Sequence, residues 1–357
     1  MNNSDKKIRI AIVGVGNCAS SLVEGIYHYK EVTDGKDVPG LMHSSFGGYS
    51  ISDVEPVAAF DVDSAKVGKD LSDAIHAGPN CSHQLAEVPN LGIKVRRGPV
   101  KDGVPPHLAD FVDVAEGEPV EVGQVLKQTK TDVVVNLLPT GSYEASRYYA
   151  DKAIEAGVGF VNGIPELIVS DKEYQQKAKD NGVPMVGDDF KSQIGATIVN
   201  RALIELFLNR AIRLKEGYQL NYGGNTDFVN LVNRGESKHK TKRSALENLL
   251  PYEAKISTGF AYMDGLEDTK IANITLKGEN FGGAPMELEV KLQVEDSPNA
   301  GGVLIDMIRS CKLAADRGVS GALISSSAYF SKHPPKDISD EKARQMLEEF
   351  IKGERER

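Results

Sequence analysis

The segment IRIAIVGVGNCAS, residues 8–20, decides the fold. A short apolar run leads into Gly14, Gly16 and Ala19, which have the spacing G-x-G-x-x-A. An apolar strand followed by such a turn and a helical pattern is typical of a dinucleotide-binding unit, in which Gly14 permits the tight turn and Gly16 lets the backbone approach a pyrophosphate. The motif alone is weak evidence, and a purely structural glycine turn is the alternative.

Residues around this turn extend the dinucleotide hypothesis. The helix would begin near Asn17 and Cys18 and offer its positive end to phosphate. The next predicted strand ends in FDVD, where Asp61 is placed to accept both ribose hydroxyls and so to favour NAD over NADP. Asp61 lies farther from Gly14 than the usual ~20 residues, because a Gly/Ser/His-rich segment at 33–52 intervenes. Cys18 is either a thiol of lowered pKa at the helix start or a small loop residue.

Composition excludes several classes of protein. The 357 residues carry 42 Lys+Arg against 51 Asp+Glu, a net charge of -9, which disfavours nucleic-acid binding. Three cysteines are too few and too widely spaced for a disulfide framework or a thiolate zinc site. The sequence has neither a signal-peptide apolar region nor a run approaching the roughly 20 apolar residues of a membrane span. We therefore expect a soluble cytoplasmic protein with no membrane and no nucleic-acid partner.

The rhythm of apolar runs predicts an α/β fold. Short runs alternate with helical patterns up to about residue 189, which indicates a Rossmann-like, doubly wound parallel sheet. The runs are IRIAIVG, VEPVAAFDVD, IKVRRG, TDVVVNLLP, GFVNGIP and VPMVGDD. Two segments without periodicity, 33–52 and 78–103, are predicted to be excursions from the sheet edge.

The pattern changes after a long predicted helix that begins near residue 192. RLKEGYQLNYGG, TKIANITLKG and PMELEVKLQVED alternate with period two, as in an antiparallel sheet with one solvated face. We predict an inserted α+β domain at 203–294. The NAD-binding domain at 1–202 would be completed by 295–357, whose helices fold back onto it.

Further candidate site residues stand at predicted strand ends and in one basic segment. Thr140, Gly141 and Ser142 would line the ligand crevice, although an ordinary turn with Ser142 as N-cap is equally consistent. GDDFKSQIGAT places two acids and a lysine at another strand end. RGESKHKTKR, residues 234–243, carries three lysines, two arginines and a histidine. A lone lysine is usually solvated surface, but several in one crevice would bind phosphate and stabilise oxyanions.

Taken in order, these motifs resemble one family over nearly the whole chain. GVGNCASSL, NLLPTGS, GDDFKSQIGAT, NYGGNTDF, ESKHKTKRSAL, LEDTK, VEDSPNAGG and SAYFSKHPP resemble inositol-3-phosphate synthase (myo-inositol-1-phosphate synthase) in its compact bacterial and archaeal form. The resemblance implies an NAD-dependent isomerase of inositol and phospholipid biosynthesis that converts D-glucose 6-phosphate to 1L-myo-inositol 1-phosphate. The implied steps are C5 oxidation, enolisation, intramolecular aldol closure and C5 reduction. It also implies that the inserted domain at 203–294 is the catalytic and oligomerisation domain, whose sheet builds a homotetramer.

The resemblance implies roles for named residues. Lys332 and Lys238 would act nearest C5, whereas Lys242 and Lys270 would hold phosphate and the C1 oxygen. The full catalytic set is Lys238, Lys242, Lys270, Lys332, Asp189, Lys191 and Asp227. The cofactor set is Gly14, Gly16, Asn17, Cys18, Ala19, Asp61, Thr140, Gly141, Ser142, Asp188, Ser192, Asp296 and Ser297. A cation near the NAD phosphates, held by oxygen ligands, is a further expectation.

Two other functions fit the same sequence. One is a Rossmann dehydrogenase with net hydride transfer to an external acceptor. The other is a family-like protein that binds NAD or a sugar phosphate without turnover.

Overall fold

The computed structural model describes residues 6–32, 38–233 and 250–357. The strands in these ranges are β1 Ile8–Val13, β2 Ser45–Phe46, β3 Tyr49–Ser50, β4 Val54–Asp61, β5 Val95–Arg97, β6 Val133–Asn136, β7 Gly159–Asn162, β8 Pro184–Val186, β9 Arg213–Gly223, β10 Lys255–Tyr262, β11 Thr269–Glu279, β12 Pro285–Glu295 and β13 Gly321–Ala322. The α-helices are α1 Asn17–His28, α2 Leu71–Ala74, α3 Val122–Gln128, α4 Tyr143–Ala156, α5 Lys172–Asp180, α6 Ala196–Asn209, α7 Thr226–Asn233, α8 Asp296–Asp316, α9 Ile324–Phe330 and α10 Asp340–Lys352.

A seven-stranded parallel sheet forms the larger layer. Its order is β13-β8-β7-β6-β1-β4-β5, and every neighbouring pair is parallel. The chain leaves β1 toward β4 on one side and later continues from β6 on the other. This reversal creates a crevice at the carboxyl ends of β1 and β6, where doubly wound folds bind ligands. The predicted Rossmann-like fold class is confirmed.

Two apolar layers cover the faces of this sheet. Ile10 and Ile12 belong to the cluster that includes buried residues of α1 and α8, whereas Ala11 and Val13 belong to the cluster that includes residues of α3 and α4. The alternation follows from the period-two geometry of a strand, which directs successive side chains to opposite faces. Helices on both faces explain why these strands are apolar throughout.

A second sheet has the order β10-β9-β11-β12, and its four strands all lie between residues 213 and 295. β9, β11 and β12 pair antiparallel, as the alternation predicted. β10 pairs parallel to β9, however, so the sheet is mixed and not purely antiparallel. The long connection from β9 through α7 allows this parallel return. Apolar residues of α6 cover one face.

The end of the chain packs on the first sheet. β13 pairs with β8, and α8 contacts α1, β7 and β8. The predicted boundary at 202/203 falls inside α6, and the boundary at 294/295 falls at the end of β12. The domain division itself stays a prediction. Within the described residues, no helix combines the length and apolar character needed to cross a membrane.

Candidate active site

A cavity of about 320 Å³ lies at the carboxyl ends of the parallel strands. Turns after β1, β4 and β6 line one side, and the starts of α7, β11 and α8 line the other. The predicted residues on its wall are Gly14, Gly16, Asn17, Cys18, Asp61, Thr140, Gly141, Ser142, Asp189, Ser192, Asp227, Lys270, Asp296, Ser297 and Lys332. The fold thus brings residues from both predicted domains to one cavity.

The two glycines after β1 have different surroundings. Gly14 has φ +86°, and a Cβ there would lie 2.8 Å from the backbone oxygen of Leu137, so a side chain is excluded. At Gly16 a Cβ would meet nothing within 4 Å. No side chain caps the start of α1, whose first residues line the cavity. Open space beside an uncapped helix N-terminus suits a pyrophosphate, so these residues fit a dinucleotide.

Asp61 holds the glycine turn in place. One carboxylate oxygen, Oδ2, accepts the N–H of Val15 at 2.7 Å, and Oδ1 accepts those of Val62 and Asp63 at 2.7 and 3.0 Å. These bonds fix the carboxylate at the cavity wall, at the end of β4.

The Cys18 thiol does not have the lowered pKa considered for it. Burial raises its pKa well above the ordinary range, and the charges of Asp296 and Asp268 raise it further. The helix dipole favours a thiolate, but these effects outweigh it. Cys18 is therefore a neutral wall residue of the cavity.

Lys332 and Asp189 meet across two paired segments. Backbone bonds join Asp188 to His333 in both directions, and the Lys332 N–H donates to the Asp189 carbonyl oxygen at 2.7 Å. This pairing brings the Lys332 ammonium nitrogen Nζ to 2.8 Å from Asp189 Oδ1, although the residues are 143 positions apart. Asp189 has φ +57°, the left-handed conformation often found at functional sites. An ammonium and a carboxylate in contact can pass a proton to or from a ligand oxygen.

Lys270 faces the cavity from the start of β11. Its Nζ lies 3.0 Å from Asp296 Oδ1 and 5.6 Å from the centre of the Phe228 ring. Burial disfavours the charged ammonium, but the attraction and hydrogen bond of Asp296 outweigh it and raise the pKa of Lys270. Lys270 is thus a positively charged ammonium on the cavity wall.

Asp268 holds Asn225 and Ser297, which lie on the cavity wall near Lys270. It accepts hydrogen bonds from Asn225 and from the backbone and hydroxyl of Ser297 at 2.9 to 3.0 Å. Burial raises the pKa of Asp268 to about 6, against the effect of these donors. The described residues contain no group of three His, Cys, Asp or Glu side chains that would hold a metal ion. Asp296 contacts Lys270, and Ser297 donates to Asp268; the cation expected near them stays a prediction.

The turn after β6 contacts α7. The Thr140 hydroxyl donates to Asp227 Oδ1 at 3.1 Å. Ser142 occupies the N-cap position of α4, as the turn alternative predicted, although its side chain makes no capping hydrogen bond. Asp102 accepts the N–H groups of Glu144 and Ala145 instead, both at 2.9 Å. Ser142 also lies on the cavity wall.

Among the described residues, the predicted Ala19, Asp188 and Lys191 do not line the cavity. Asp188 is fully buried and accepts bonds from Asn162 and the backbone N–H groups of residues 168–170. Burial raises its pKa to about 7. Lys191 donates to Asp340 at 2.8 Å, and burial lowers the pKa of Lys191. Both side chains turn away because the peptide after β8 is tied to residues 330–333, so their contacts support the segment that carries Asp189.

Ala19 is buried in the helix packing, as the motif predicted. Lys238 and Lys242, with the rest of the basic segment, lie outside the described residues.

Comparison with known proteins identifies the family. The family model for myo-inositol-1-phosphate synthase matches residues 195–297. The inositol-3-phosphate synthase of Mycolicibacterium smegmatis is 47% identical over 99% of this chain and 100% of its own length. That of Mycobacterium tuberculosis (strain CDC 1551) is 49% identical over 97% of this chain and 96% of its own length. The chain belongs to the inositol-3-phosphate synthase family.

Solved structures share the fold of this chain. The crystal structure of Ari2 is 33% identical and superposes with a TM-score of 0.79, covering 97% of this chain and 99% of Ari2. The inositol-3-phosphate synthase of Caenorhabditis elegans is 16% identical with a TM-score of 0.75, over 97% of this chain and 85% of its own. The second comparison shows a shared fold.

In this synthase-family chain, sequence reasoning missed one wall of the cavity. Residues 99–105, with Leu108 and Val112, cover it, and Lys66 and Asn80 line it nearby. Lys66 donates to Asn80 at 3.1 Å. Residues 78–103 have no helical or strand periodicity and are predicted only as an excursion from the sheet edge, whereas Lys66 and residues 104–112 carry no site prediction. Their proline and glycine content indicates a loop but not what the loop covers.

Proposed function

We propose that this chain is an NAD-dependent isomerase that converts D-glucose 6-phosphate to 1L-myo-inositol 1-phosphate. The names of full-length relatives support the reaction class. The observation that carries the proposal is the contact of Lys332 with Asp189 in the same cavity as the Gly14–Gly16 turn. A proton-transfer pair beside a dinucleotide cradle is what an internal oxidation and reduction of a sugar needs.

The residues of the cavity divide the chemistry between them. NAD, when bound, supplies a hydride acceptor and then a hydride donor for C5. Lys332, after passing a proton to Asp189 across their contact, would take the proton from the C5 hydroxyl on oxidation, become an ammonium again, and return the proton on reduction. Its positive charge would also stabilise the enolate formed when a proton leaves C6.

Lys270 would stabilise the second developing oxyanion. When the enolate carbon attacks the C1 aldehyde, negative charge collects on the C1 oxygen. The ammonium of Lys270 is held against Asp296 on the opposite wall, and a cation in a water-poor cavity stabilises such charge strongly. We propose that Lys238 and Lys242 bind the substrate phosphate beside it.

The first experiment follows the phosphate ester by phosphorus NMR while absorbance reports net NADH. Purified protein receives NAD and D-glucose 6-phosphate, with Mg²⁺, with K⁺ or NH₄⁺, and with no added cation. Conversion to inositol phosphate with catalytic NAD and no accumulating NADH is the expected result. Accumulating NADH would instead show a dehydrogenase, and no conversion under any cation would show a binding protein.

We also propose that the chain assembles through its second sheet. Tyr218 and Leu220 alternate along β9 with side chains 42% and 39% exposed, on the face opposite α6. Their neighbours across the sheet on β10 and β11 are small or polar: Ser257, Gly259, Asn273 and Thr275. A flat face with central aromatic and aliphatic side chains is typical of an interface between copies of one chain. A homotetramer is the assembly that we propose.

A further inference from the structure

Asn230 lies on α7 and joins three segments of the cavity wall. Its side-chain nitrogen Nδ2 donates to the Thr140 carbonyl oxygen at 2.6 Å, and its Oδ1 lies 2.7 Å from His107 Nε2. The side chain is almost fully buried. One amide therefore connects α7, the turn after β6 and the loop that contains His107.

The chemistry of these groups fixes the direction of both bonds. A carbonyl oxygen only accepts, so the Asn230 nitrogen must face Thr140. The amide oxygen that remains can only accept, so His107 must carry its proton on Nε2. Replacement of either side chain by alanine removes a directed hydrogen bond and leaves a buried polar group without its partner.

His107 belongs to the cover loop, which we define as residues 99–112. The loop lines the cavity along most of its length. Asp102 ties its first half to the start of α4 through the N–H groups of Glu144 and Ala145. Its second half is tied to α7 by the bond from His107 to Asn230. Asn230 thus supplies the attachment of the cover loop to the element that carries Asp227.

We infer that Asn230 is a positioning residue. Its two hydrogen bonds, which we call the clasp, hold the cover loop and the Thr140 turn against α7. The clasp thereby keeps the loop over the cavity and keeps Asp227 in position opposite the predicted cofactor residues. This inference rests on the proposed function for the identity of the ligands. Thr140 is joined to α7 twice, because its carbonyl oxygen accepts from Asn230 and its hydroxyl donates to Asp227. Loss of the clasp loosens the cover loop and shifts α7, and small shifts of positioning groups cost large factors in rate.

The test compares Asn230→Ala, His107→Ala and the double variant with Asn233→Ala as the control. Asn233 is exposed, is on the same helix, and donates to the Val229 carbonyl oxygen within that helix. Hydrogen exchange of the ligand-free proteins reports the cover loop, and calorimetric titration with NAD reports affinity. Steady-state kinetics with D-glucose 6-phosphate separate kcat from KM.

We expect both single variants to speed amide exchange in the cover loop and to weaken NAD binding about tenfold. Only Asn230→Ala should also lower kcat, by about 10- to 100-fold, because only it also removes the bond from α7 to the Thr140 carbonyl oxygen. The double variant should bind NAD as weakly as Asn230→Ala, since both changes break the same bond. Asn233→Ala should match the wild type.

Unchanged exchange in the cover loop, or unchanged NAD affinity and kcat in a folded Asn230→Ala protein, would overturn the inference. His107→Ala keeps the test decisive if Asn230→Ala fails to fold, because His107 lies on a partly exposed loop. A wild-type protein that binds no NAD would contradict the proposed function instead, and the exchange experiment would then decide on the clasp by itself.

Discussion

Gly14 and Gly16, in the first turn, are expected to affect different properties: Gly14 the stability of the fold and Gly16 the binding of NAD. Gly14→Ala places a Cβ against the Leu137 carbonyl in a left-handed conformation, so we expect a loss of about 1–3 kcal/mol in the free energy of unfolding. Gly16→Ala meets open space and should leave that free energy unchanged within about 0.5 kcal/mol. It should nevertheless weaken NAD binding tenfold or more, because the methyl group occupies the cradle. Chemical denaturation and calorimetric titration measure the two quantities.

Equal destabilisation by both substitutions would contradict the difference in their surroundings. Retention of NAD affinity by Gly16→Ala would show that the pyrophosphate lies elsewhere.

Lys332 is the residue whose loss should be most costly to the reaction. Lys332→Ala removes the ammonium in contact with Asp189, and we expect kcat to fall by about 10²- to 10⁴-fold. Lys336→Ala, an exposed lysine beyond the same proline turn, is the matched control and should retain full activity. Turnover is measured by the phosphorus NMR assay. A Lys332→Ala enzyme within threefold of the wild type would exclude Lys332 from the proton transfer.

At the scale of elements, the segment 38–53 is held on α8 and α10 by a charged contact. His43 Nδ1 lies 2.5 Å from Asp306, and its Nε2 lies 3.3 Å from Glu348. Burial disfavours the charged imidazole, but the hydrogen bonds and charges of the two acids outweigh it and raise the pKa of His43. Arg309 donates to the His43 carbonyl and pairs with Asp306 as well. The segment is thus held more firmly when His43 is charged.

The raised pKa sets the direction of a pH effect. Stabilisation by His43 should be complete below its unfolded pKa of about 6.5 and should be lost as the pH rises through the higher folded value. The difference in the free energy of unfolding between the wild type and His43→Gln should therefore shrink as pH increases. Urea denaturation of both proteins across a series of pH values from acid to alkaline measures it. A difference that stays constant or grows would show that the charge on His43 does not contribute.

Elements in which apolar residues recur with a regular period were predictable from the sequence, and elements without such a period were not. β1 and the turn at Gly14 were read from an apolar run and a glycine spacing, because both signals are local. The direction of β10 was not predictable, because it depends on how the connection through α7 returns to the sheet. The cover loop has no period at all, and its position is set by single contacts such as that of His107 with Asn230.

At the scale of the whole molecule, the site depends on long-range pairing. The resemblance to the family implied Lys332 and Asp189, but no local pattern places them in contact. Their contact arises from backbone bonds between the segments after β8 and after α9. Lys191 was implied by the same motif, yet it faces Asp340 because its side chain leaves the opposite side of that segment. Sequence reasoning thus found the segments of the site more reliably than the direction of each side chain.

The exposed face of the second sheet gives the last prediction. Leu220→Asp places a charge at the centre of the proposed interface, and burying it against a second copy without a partner is costly. We expect the assembly to dissociate while the folded chain persists, because Leu220 is not part of the covered face. Leu167→Asp, at an exposed position near the end of the parallel sheet, is the control and should not change the mass. Light scattering after size exclusion measures it, and an unchanged mass for Leu220→Asp would place the interface elsewhere.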